Sequence, residues 1–335
     1  MQVFIAGATG VLGRRLVDRL TDRGHDVIGL VRDDSGARLV ERLGGTPRRG
    51  DVLESDTLEA VVTDEIEVLV HAATAIPDST KPSEAEWAHN DRVRLTGAKN
   101  LLAAAPNDLR QILFPSVVWV ARQPDGSRFD ETADRHPDRA TRSAAEVEEL
   151  LQTRSNTNGF DVTILRCGFF YAPDARDTRM WGKRLLNGDM PIVGGGLFGR
   201  KDAELSFVHA DDAAAAFVAA IHAKASGLYH IVDDDPVTGA TFFKTFAELL
   251  DAPKPRRIPA WLARVFIGKI NAQGLTSPMP TTNEKAVQEL DWKPEFPTYR
   301  EGLKQIVDTW TADGTLAELQ AESTTDPVPP TKQRT

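Results

Sequence analysis

Short apolar runs alternate with amphipathic segments along the first half of the chain. The run Val3–Ala6 is followed, after a glycine-containing stretch, by a helical pattern that places Leu16, Val17 and Leu20 on one face. A second apolar run, Val27–Val31, begins about 24 residues after the first. This order predicts a strand, a helix and a second, parallel strand, joined by a right-handed crossover.

The same alternation continues to about residue 170. Strands that alternate with helices in this way predict an α/β fold with a doubly wound parallel sheet, the Rossmann fold. The predicted helices cover Ala37–Leu43, Leu58–Val62, Asp91–Ala105 and Ser143–Thr153, and the predicted strands cover Thr46–Arg49, Glu67–His71, Gln111–Phe114 and Asp161–Leu165.

Beyond residue 170 the segments become shorter and richer in loops. We therefore predict a first domain over residues 1–170, to which some later segments return, and a smaller mixed lobe over residues 171–321. Residues 322–335 are polar and proline-rich, so we expect a disordered tail there.

Composition narrows the classes of function. The 335 residues are 41% hydrophobic and carry a net charge of −9, from 40 basic and 49 acidic residues. Without a basic stripe, this charge disfavours a nucleic-acid partner or an anionic membrane surface. The longest apolar run, Ala213–Ile221, has nine residues and is too short to span a bilayer. The single cysteine, Cys167, excludes an internal disulfide and a cysteine-based zinc cluster, so we expect a cytoplasmic protein without a metal site or a signal peptide.

A glycine-rich turn lies between the first predicted strand and the first predicted helix. Gly7, Gly10 and Gly13 follow the spacing G-x-x-G-x-x-G, with Ala8, Thr9, Val11 and Leu12 between them. Glycine permits a tight turn, close approach of the backbone to a pyrophosphate, and close packing of the helix on the strand. The helix N-terminus adds unpaired N–H groups and partial positive charge. The turn therefore predicts a dinucleotide-binding site.

The residues at the end of the second strand favour NADP(H) over NAD(H). NAD-binding proteins usually carry a carboxylate here for the ribose hydroxyls, but this chain has Val31 followed by Arg32. A guanidinium can bind a 2′-phosphate through charge-assisted hydrogen bonds. Arg14, directly after the third glycine, is a second candidate for a phosphate or adenine contact.

These residues resemble the extended, nucleotide-sugar epimerase/dehydratase-like branch of the short-chain dehydrogenase/reductase superfamily. The resemblance covers about residues 1–310 and rests on motifs that occur in the family's order. They are Gly7–Gly13, Gly50-Asp51-Val52, His71-Ala72-Ala73, Pro115-Ser116-Val117, Leu165–Pro173, Phe207–Asp212 and Leu290–Pro294.

The resemblance also implies which residues beyond the glycine turn contact the cofactor. Asp51 and Val52 resemble the pair that contacts adenine. Ala72, Ala73 and Thr74, after the fourth strand, resemble the residues that line the cofactor channel. The segment after the sixth predicted strand resembles the part beside the nicotinamide, and its residues are Cys167, Phe169 and Phe170. Cys167 stands where the family has proline.

The chain departs from the family in its acid/base groups. Family members use a Tyr-x-x-x-Lys pair on the helix after the fifth strand, in which lysine lowers the pKa of the tyrosine that transfers the proton. Matching Ser143 and Glu148 to the family pattern puts Ala140 and Ala144 at these two positions. The chain has three tyrosines and none of them lies on this helix. Arg94 is a further departure, because many extended members carry asparagine there.

One hypothesis is an NADP(H)-dependent oxidoreductase or epimerase that acts on a small carbonyl or hydroxyl substrate with substituted acid/base groups. The candidates are Ser116 at the end of the fifth strand, Tyr171 after the sixth strand and, more distantly, His209. Each also has a structural interpretation: a hydrogen bond to backbone or substrate for Ser116, a packed aromatic for Tyr171, and a buried structural histidine for His209.

The second hypothesis is a catalytically silent NADP(H)-binding redox sensor or assembly partner, similar to the NmrA-like members of the superfamily. Loss of both the tyrosine and the lysine favours it. A complete second lobe, with a glycine-rich stretch over residues 193–196 and the aromatics Trp181 and Phe198, favours a small-molecule pocket and therefore an enzyme. The resemblance also implies a possible homodimer formed through helices of the first domain.

Overall fold

The computed structural model describes residues 1–194 and 202–325. The strands are β1 Gln2–Ala6, β2 Asp26–Val31, β3 Thr46–Arg49, β4 Val68–His71, β5 Gln111–Val117, β6 Asp161–Cys167, β7 Phe169–Tyr171, β8 Pro191–Val193, β9 Glu204–Leu205, β10 Phe207–His209, β11 Gly227–Ile231, β12 Val237–Thr238 and β13 Arg256–Ile258. The helices are α1 Val11–Thr21, α2 Asp34–Arg42, α3 Ser55–Glu59, α4 Glu84–Ala104, α5 Arg142–Asn158, α6 Arg176–Leu186, α7 Ala210–His222, α8 Gly239–Leu249, α9 Ala260–Thr276, α10 Glu284–Glu289, α11 Tyr299–Ala312 and α12 Thr315–Thr325, with a 3₁₀ turn at Val118–Ala121.

Within the described residues the central sheet has seven strands in the order β3-β2-β1-β4-β5-β6-β11, and all its pairs are parallel. The prediction of a doubly wound parallel sheet is confirmed. The strand order reverses between β1 and β4, which is the switch point where ligands bind at the carboxyl ends of such strands. Strand β11 comes from the second half of the chain and joins the outer edge of β6.

Two apolar layers cover the faces of this sheet. On one face, Leu16 and Leu20 of α1 pack in the same cluster as Phe217 of α7. On the other face, Leu101 of α4 and Leu151 of α5 lie in a second cluster. These five side chains are fully buried, and burial of a large apolar side chain contributes about 1.5–3 kcal/mol. The layers hold the strand ends in register at the switch point.

The remaining elements form a smaller lobe with its own aromatic core. Phe207 of β10 stacks on Phe242 of α8 with ring centroids 4.1 Å apart, and Trp310 of α11 packs beside Phe246. Short strand pairs surround this core: β7 with β10, β8 with β13, and β9 with β12. The lobe lies over the carboxyl ends of the sheet strands, because β7 continues directly from β6.

Several predicted boundaries differ from those of the structure, and the start of α4 differs most. Helix α4 begins at Glu84 rather than Asp91, since a capping box pairs the Ser83 side chain with the backbone of Glu86 and the Glu86 side chain with the backbone of Ser83. The predicted tail begins too early, because α12 continues to Thr325. Residues 326–335 lie outside the described residues. No helix in the described ranges is both long and apolar enough to cross a membrane.

Candidate active site

The glycine turn packs its backbone directly against the end of β4. A Cβ atom on Gly7, where φ is +88°, would lie 2.5 Å from the carbonyl carbon of Ala72. A Cβ atom on Gly13 would lie 2.0 Å from the Gly7 carbonyl oxygen. The Gly10 amide donates to that same oxygen at 3.0 Å, which closes the turn. Both glycines are therefore required by the turn itself, whatever ligand it binds.

Helix α1 starts from this turn with no side-chain cap. The N-cap residue is Gly10, which has no side chain that could bond to the helix amides, and the first turn contains no acidic residue. Thr9 and Gly10 are exposed, whereas Ala8 and Leu12 pack into the core. The open amides and the helix dipole suit a pyrophosphate, so this turn fits a nicotinamide dinucleotide through its backbone.

Arg14 lies in the first turn of α1, and part of its guanidinium is already paired with a carboxylate. Its Nη2 makes a 2.7 Å ion pair with the Asp174 carboxylate, while its buried Nε has no hydrogen-bond partner among the described residues. Desolvation lowers the pKa of Arg14, and Asp174 opposes that shift. Arg14 therefore ties α1 to the segment after β7 and keeps one donor for a ligand.

The end of β2 offers a cation and no free carboxylate. Arg32 is exposed, and no acidic oxygen in the described chain lies within 4 Å of its guanidinium. The neighbouring Asp33 carboxylate caps α2 by accepting from the Gly36 amide at 2.8 Å and from the Ser35 hydroxyl at 2.6 Å. These hydrogen bonds lower the pKa of Asp33, so its carboxylate is already used.

The other predicted channel residues lie around this turn. The Asp51 carboxylate accepts from the Leu53 amide at 2.9 Å, and the Val52 carbonyl accepts from Asn100 at 2.8 Å, so the segment after β3 is fixed. Ala72 and Ala73 are half-buried beside Gly7, and Thr74 is exposed.

Cys167, the last residue of β6, does not fit its predicted role. Its side chain is 2% exposed and lies in the core cluster with Val208 and Ile231, and burial raises the pKa of its thiol. The thiol is therefore a core group and not a cofactor contact. Phe169 stacks on Trp119 at 4.6 Å, and Phe170 packs on the opposite side, against the same cluster as Cys167.

Ser116 lies at the end of β5 as predicted, but it belongs to a buried ionic cluster. Its hydroxyl donates to Oε1 of Glu148 at 2.5 Å. Glu148 also accepts two hydrogen bonds from Arg166, at 2.9 and 2.7 Å. Glu148 is buried although it lies on a helix of the first domain: its side chain is 1% exposed. The Ser116 hydroxyl therefore donates its hydrogen bond to Glu148. This corrects the prediction that Ser116 is a free acid/base group.

Tyr171 and His209 form hydrogen bonds with residues of the second lobe. The Tyr171 hydroxyl donates to the buried Asp233 carboxylate at 3.0 Å, and the residue is fully buried. Burial and Asp233 raise the pKa of Tyr171, which weakens it as an acid, so the catalytic prediction for Tyr171 is corrected. His209 caps α7 by accepting from the Asp211 amide at 3.3 Å, and burial lowers its pKa to about 4.

The two alanines that the motif match places at the family's acid/base positions have different surroundings. Ala140 is half-buried in the turn before α5, and its amide donates to Asp138 at 3.0 Å. Ala144 lies within α5, fully buried beside Val120. Neither carries a group that transfers a proton, and Ala144 leaves no open space at the lysine position.

Arg94 is the group that reaches toward Ala140. It lies on α4, is 4% exposed, and its Nη1 makes one long hydrogen bond of 3.5 Å to the Ala140 carbonyl. Its own carbonyl accepts from His71 Nε2 at 2.9 Å, at the end of β4 beside the glycine turn. Burial lowers the pKa of His71 to about 4, so this imidazole is neutral. The unusual arginine was visible in the sequence, but its burial was not.

Comparisons with known proteins agree with this arrangement. A family model described as the NAD dependent epimerase/dehydratase family matches residues 3–232. A Streptomyces protein named 3-diazoavenalumate denitrifying reductase is 34% identical over 314 residues, which are 90% of this chain and 99% of that protein. A ketoreductase of Stigmatella aurantiaca that acts on a 4-farnesyl-3,4-dihydroquinoline-1-oxide is 31% identical over 182 residues, about half of each protein.

Solved structures show the same fold. The human epimerase family protein SDR39U1 with NADPH has a TM-score of 0.76 and 19% identity, covering 92% of this chain and 99% of that one. The UDP-glucose 4-epimerase of Thermus thermophilus with NAD has a TM-score of 0.76 and 22% identity, covering 93% and 99%. The resemblance drawn from the sequence motifs is confirmed: the chain belongs to the NAD dependent epimerase/dehydratase family.

Proposed function

We propose that this protein is a nicotinamide-dependent reductase whose substrate accepts a hydride without receiving a proton from the protein. The observation that carries the proposal is the pair of alanines, Ala140 and Ala144, at the acid/base positions. The three groups that the sequence offered as replacements for the tyrosine are bonded elsewhere: Ser116 to Glu148, Tyr171 to Asp233, and His209 to the start of α7. Epimerases and dehydratases of this family need such a group, so a reductase fits better.

A diazo substrate meets this requirement. The Streptomyces relative is named for reductive removal of nitrogen from a diazo compound, and its likeness spans nearly the full chain. Bound reduced nicotinamide supplies a hydride. In an arenediazonium ion, the carbon that carries the nitrogen accepts the hydride, the C–N bond breaks, and N₂ leaves with the bonding electrons. Charge and atoms balance without a proton. This reaction therefore needs no acid/base group at position 140, where the chain has alanine.

The protein's own contribution is to bind and orient both reactants. The glycine turn and the N-terminus of α1 would hold the pyrophosphate, and Phe169 and Trp119 offer an aromatic surface beside the strand ends. Holding two reactants in position converts a bimolecular step into an effectively unimolecular one. No acid/base machinery is needed for this positioning.

The test uses NADPH deuterated at C4 and a hydroxyarenediazonium salt. We expect enzyme-dependent N₂ release and an arene that carries deuterium at the carbon that lost nitrogen, with NADPH oxidised in equal amount. The no-enzyme reaction is subtracted, since diazonium ions also react slowly in solution. Arene hydrogen derived from the solvent, or N₂ release no faster than without enzyme, would overturn the proposal.

A carbonyl panel completes this experiment. Reduction of a ketone to an alcohol needs a proton at oxygen, so we expect ketones to be reduced at least about 100-fold more slowly than the diazonium salt, the lower range that a general acid contributes. A ketone reduced as fast as the diazonium salt would show that another group supplies the proton and would contradict the proposal.

We propose NADPH as the preferred cofactor, because Arg32 has no acidic partner within residues 1–194 and 202–325 and Asp33 caps α2. Arg32→Ala should weaken NADPH binding about 10-fold or more and change NADH binding by less than about twofold, since only NADPH carries the 2′-phosphate. Fluorescence titration of both cofactors measures this. Arg42→Ala, at the far end of α2, removes the same charge and should change neither affinity. Equal losses for both cofactors in Arg32→Ala would contradict the preference.

The alternative of a silent NADP(H)-binding assembly partner also has one supporting observation. Trp261, Val265 and Phe266 are 59–67% exposed on α9, an apolar face of the kind that regulators use for protein contact. A photosystem II assembly factor of Synechocystis is 29% identical over 126 residues, 37% of this chain. A protein that binds NADPH tightly and fails both arms of the deuterium experiment would favour this alternative.

A further inference from the structure

One face of α4 carries buried N–H donors that find no acceptor. The donors are Nε1 of Trp87, Nδ2 of Asn90 and Nε of Arg94, and none has a hydrogen-bond partner among the described residues. The three residues are 7%, 0% and 4% exposed. Because they follow at i, i+3 and i+7, they form a row about 10 Å long on one side of the helix. We call this row the α4 donor face.

The donor face lies at the carboxyl edge of the sheet, beside the glycine turn. Asn90 accepts from the Ala75 amide at 3.0 Å through Oδ1, and Arg94 meets His71 and Ala140. Ala72, directly after His71, is the residue against which Gly7 packs. The unpaired donors therefore border the region between the cofactor turn and the position where the family has its catalytic tyrosine.

The charge of Arg94 is also poorly balanced, because burial lowers the pKa of Arg94 to about 10 although the charge of Asp91 opposes that shift. Asp91, one turn earlier on α4, accepts from Arg139 at 2.8 Å and from Arg142 at 2.9 Å through a single oxygen, and Arg139 also pairs with Glu84. Those two carboxylates are thus shared by two other guanidiniums. No acidic oxygen of the described chain lies within 4 Å of Arg94. A buried guanidinium without an anion is costly, and its cost is removed when a ligand supplies the anion.

We infer that the α4 donor face is a binding site for an organic carboxylate, with Arg94 as the residue that pairs with the carboxylate group. A guanidinium presents a planar fork that matches a carboxylate, and Nε and Nη2 of Arg94 are available for it because, among the described residues, only Nη1 is bonded, to the Ala140 carbonyl. Asn90 and Trp87 then offer further donors along the ligand. The identity of this ligand as the substrate rests on the proposed function; the site itself does not. The natural substrate is therefore an anionic diazo compound.

The test is a titration of the NADP⁺-saturated protein with benzoate and with benzamide, its neutral counterpart, followed by ligand-observed NMR. We expect benzoate to bind more tightly than benzamide, and Arg94→Gln to weaken benzoate about 10- to 100-fold without weakening NADP⁺. Arg94→Lys keeps the charge and should retain part of the affinity. Arg92→Gln is the matched control, because Arg92 is exposed on the same helix and loses the same charge.

A second measurement separates binding from a structural role. If Arg94 is held ready for a ligand, Arg94→Gln removes a buried charge that no anion contacts, so the Tm of the variant without ligand should equal or exceed that of the wild-type protein. A lower Tm would assign Arg94 to the fold and overturn the inference. Three other results would also overturn the inference. They are equal binding of benzoate and benzamide, no detectable benzoate binding at about 10 mM, which is 10-fold above the Kd of a weak ligand, and an equal loss of NADP⁺ and benzoate affinity in Arg94→Gln.

These outcomes are distinguishable from failure of the proposed function. Arg94-dependent benzoate binding without any diazonium reduction would leave the carboxylate site and remove the reaction. Diazonium reduction with the same kcat/KM for substrates with and without a carboxylate, in both wild type and Arg94→Gln, would keep the reaction and remove the site.

Discussion

Glu148→Gln is expected to lower the free energy of unfolding by about 3–5 kcal/mol, the largest stability loss that we predict for a single polar substitution in this protein. Glu148 and Arg166 have side chains 1% and 3% exposed and share two hydrogen bonds. Glutamine keeps the shape of glutamate but removes its charge, which leaves the Arg166 guanidinium buried without an anion. Urea denaturation followed by circular dichroism measures the loss.

Two controls separate this effect from a general sensitivity of α5. Glu146→Gln makes the same change at an exposed position of the same helix, so it should stay within about 0.5 kcal/mol of the wild-type value. The double variant Glu148→Leu with Arg166→Met removes both charges and should recover much of the stability that Glu148→Gln loses. A Glu148→Gln variant as stable as Glu146→Gln would show that the ion pair contributes little.

The Rossmann half of the molecule was predictable because its signals are local. Each buried strand is a short apolar run, and the sequence of the glycine turn covers only seven residues, Gly7 to Gly13. Helix α4 shows where this reasoning loses accuracy. Its buried face includes Asn90 and Arg94, so the apolar pattern is weak, and the start at Glu84 follows from a capping box that the periodicity does not show.

The candidate site was harder to predict because its partners are distant in sequence. Tyr171 is tied to Asp233, 62 positions away, and Glu148 meets Arg166 on a different element. A sequence pattern shows that a residue can ionise, but only the packed structure shows which partner uses that charge. That α5 contains neither a tyrosine nor a lysine was readable directly from the sequence, since it concerns one helix.

The same limit applies to the cofactor contacts. The glycine turn could be assigned because only glycine satisfies its geometry, whereas Cys167 could not, because the side to which a strand residue points depends on the register of β6. Val117 and Ile231 flank Cys167 in that register, and the thiol faces the apolar layer that contains Ile231. Residues 195–201, which include part of the predicted glycine-rich loop and Phe198, lie outside the described residues.

Gly13→Ala is expected to reduce NADPH affinity at least about 100-fold and to lower the free energy of unfolding by about 1–3 kcal/mol. The added methyl group would lie 2.0 Å from the Gly7 carbonyl oxygen, which is a backbone atom and cannot move without opening the turn. Since Gly7 also packs on Ala72 and accepts from the Gly10 amide, this movement would displace the amides that face the pyrophosphate. Isothermal titration with NADPH and urea denaturation measure the two effects. Gly274→Ala adds the same methyl group in α9 with nothing within 4 Å and should leave NADPH affinity unchanged. A Gly13→Ala variant with wild-type affinity would mean that the cofactor does not depend on this turn.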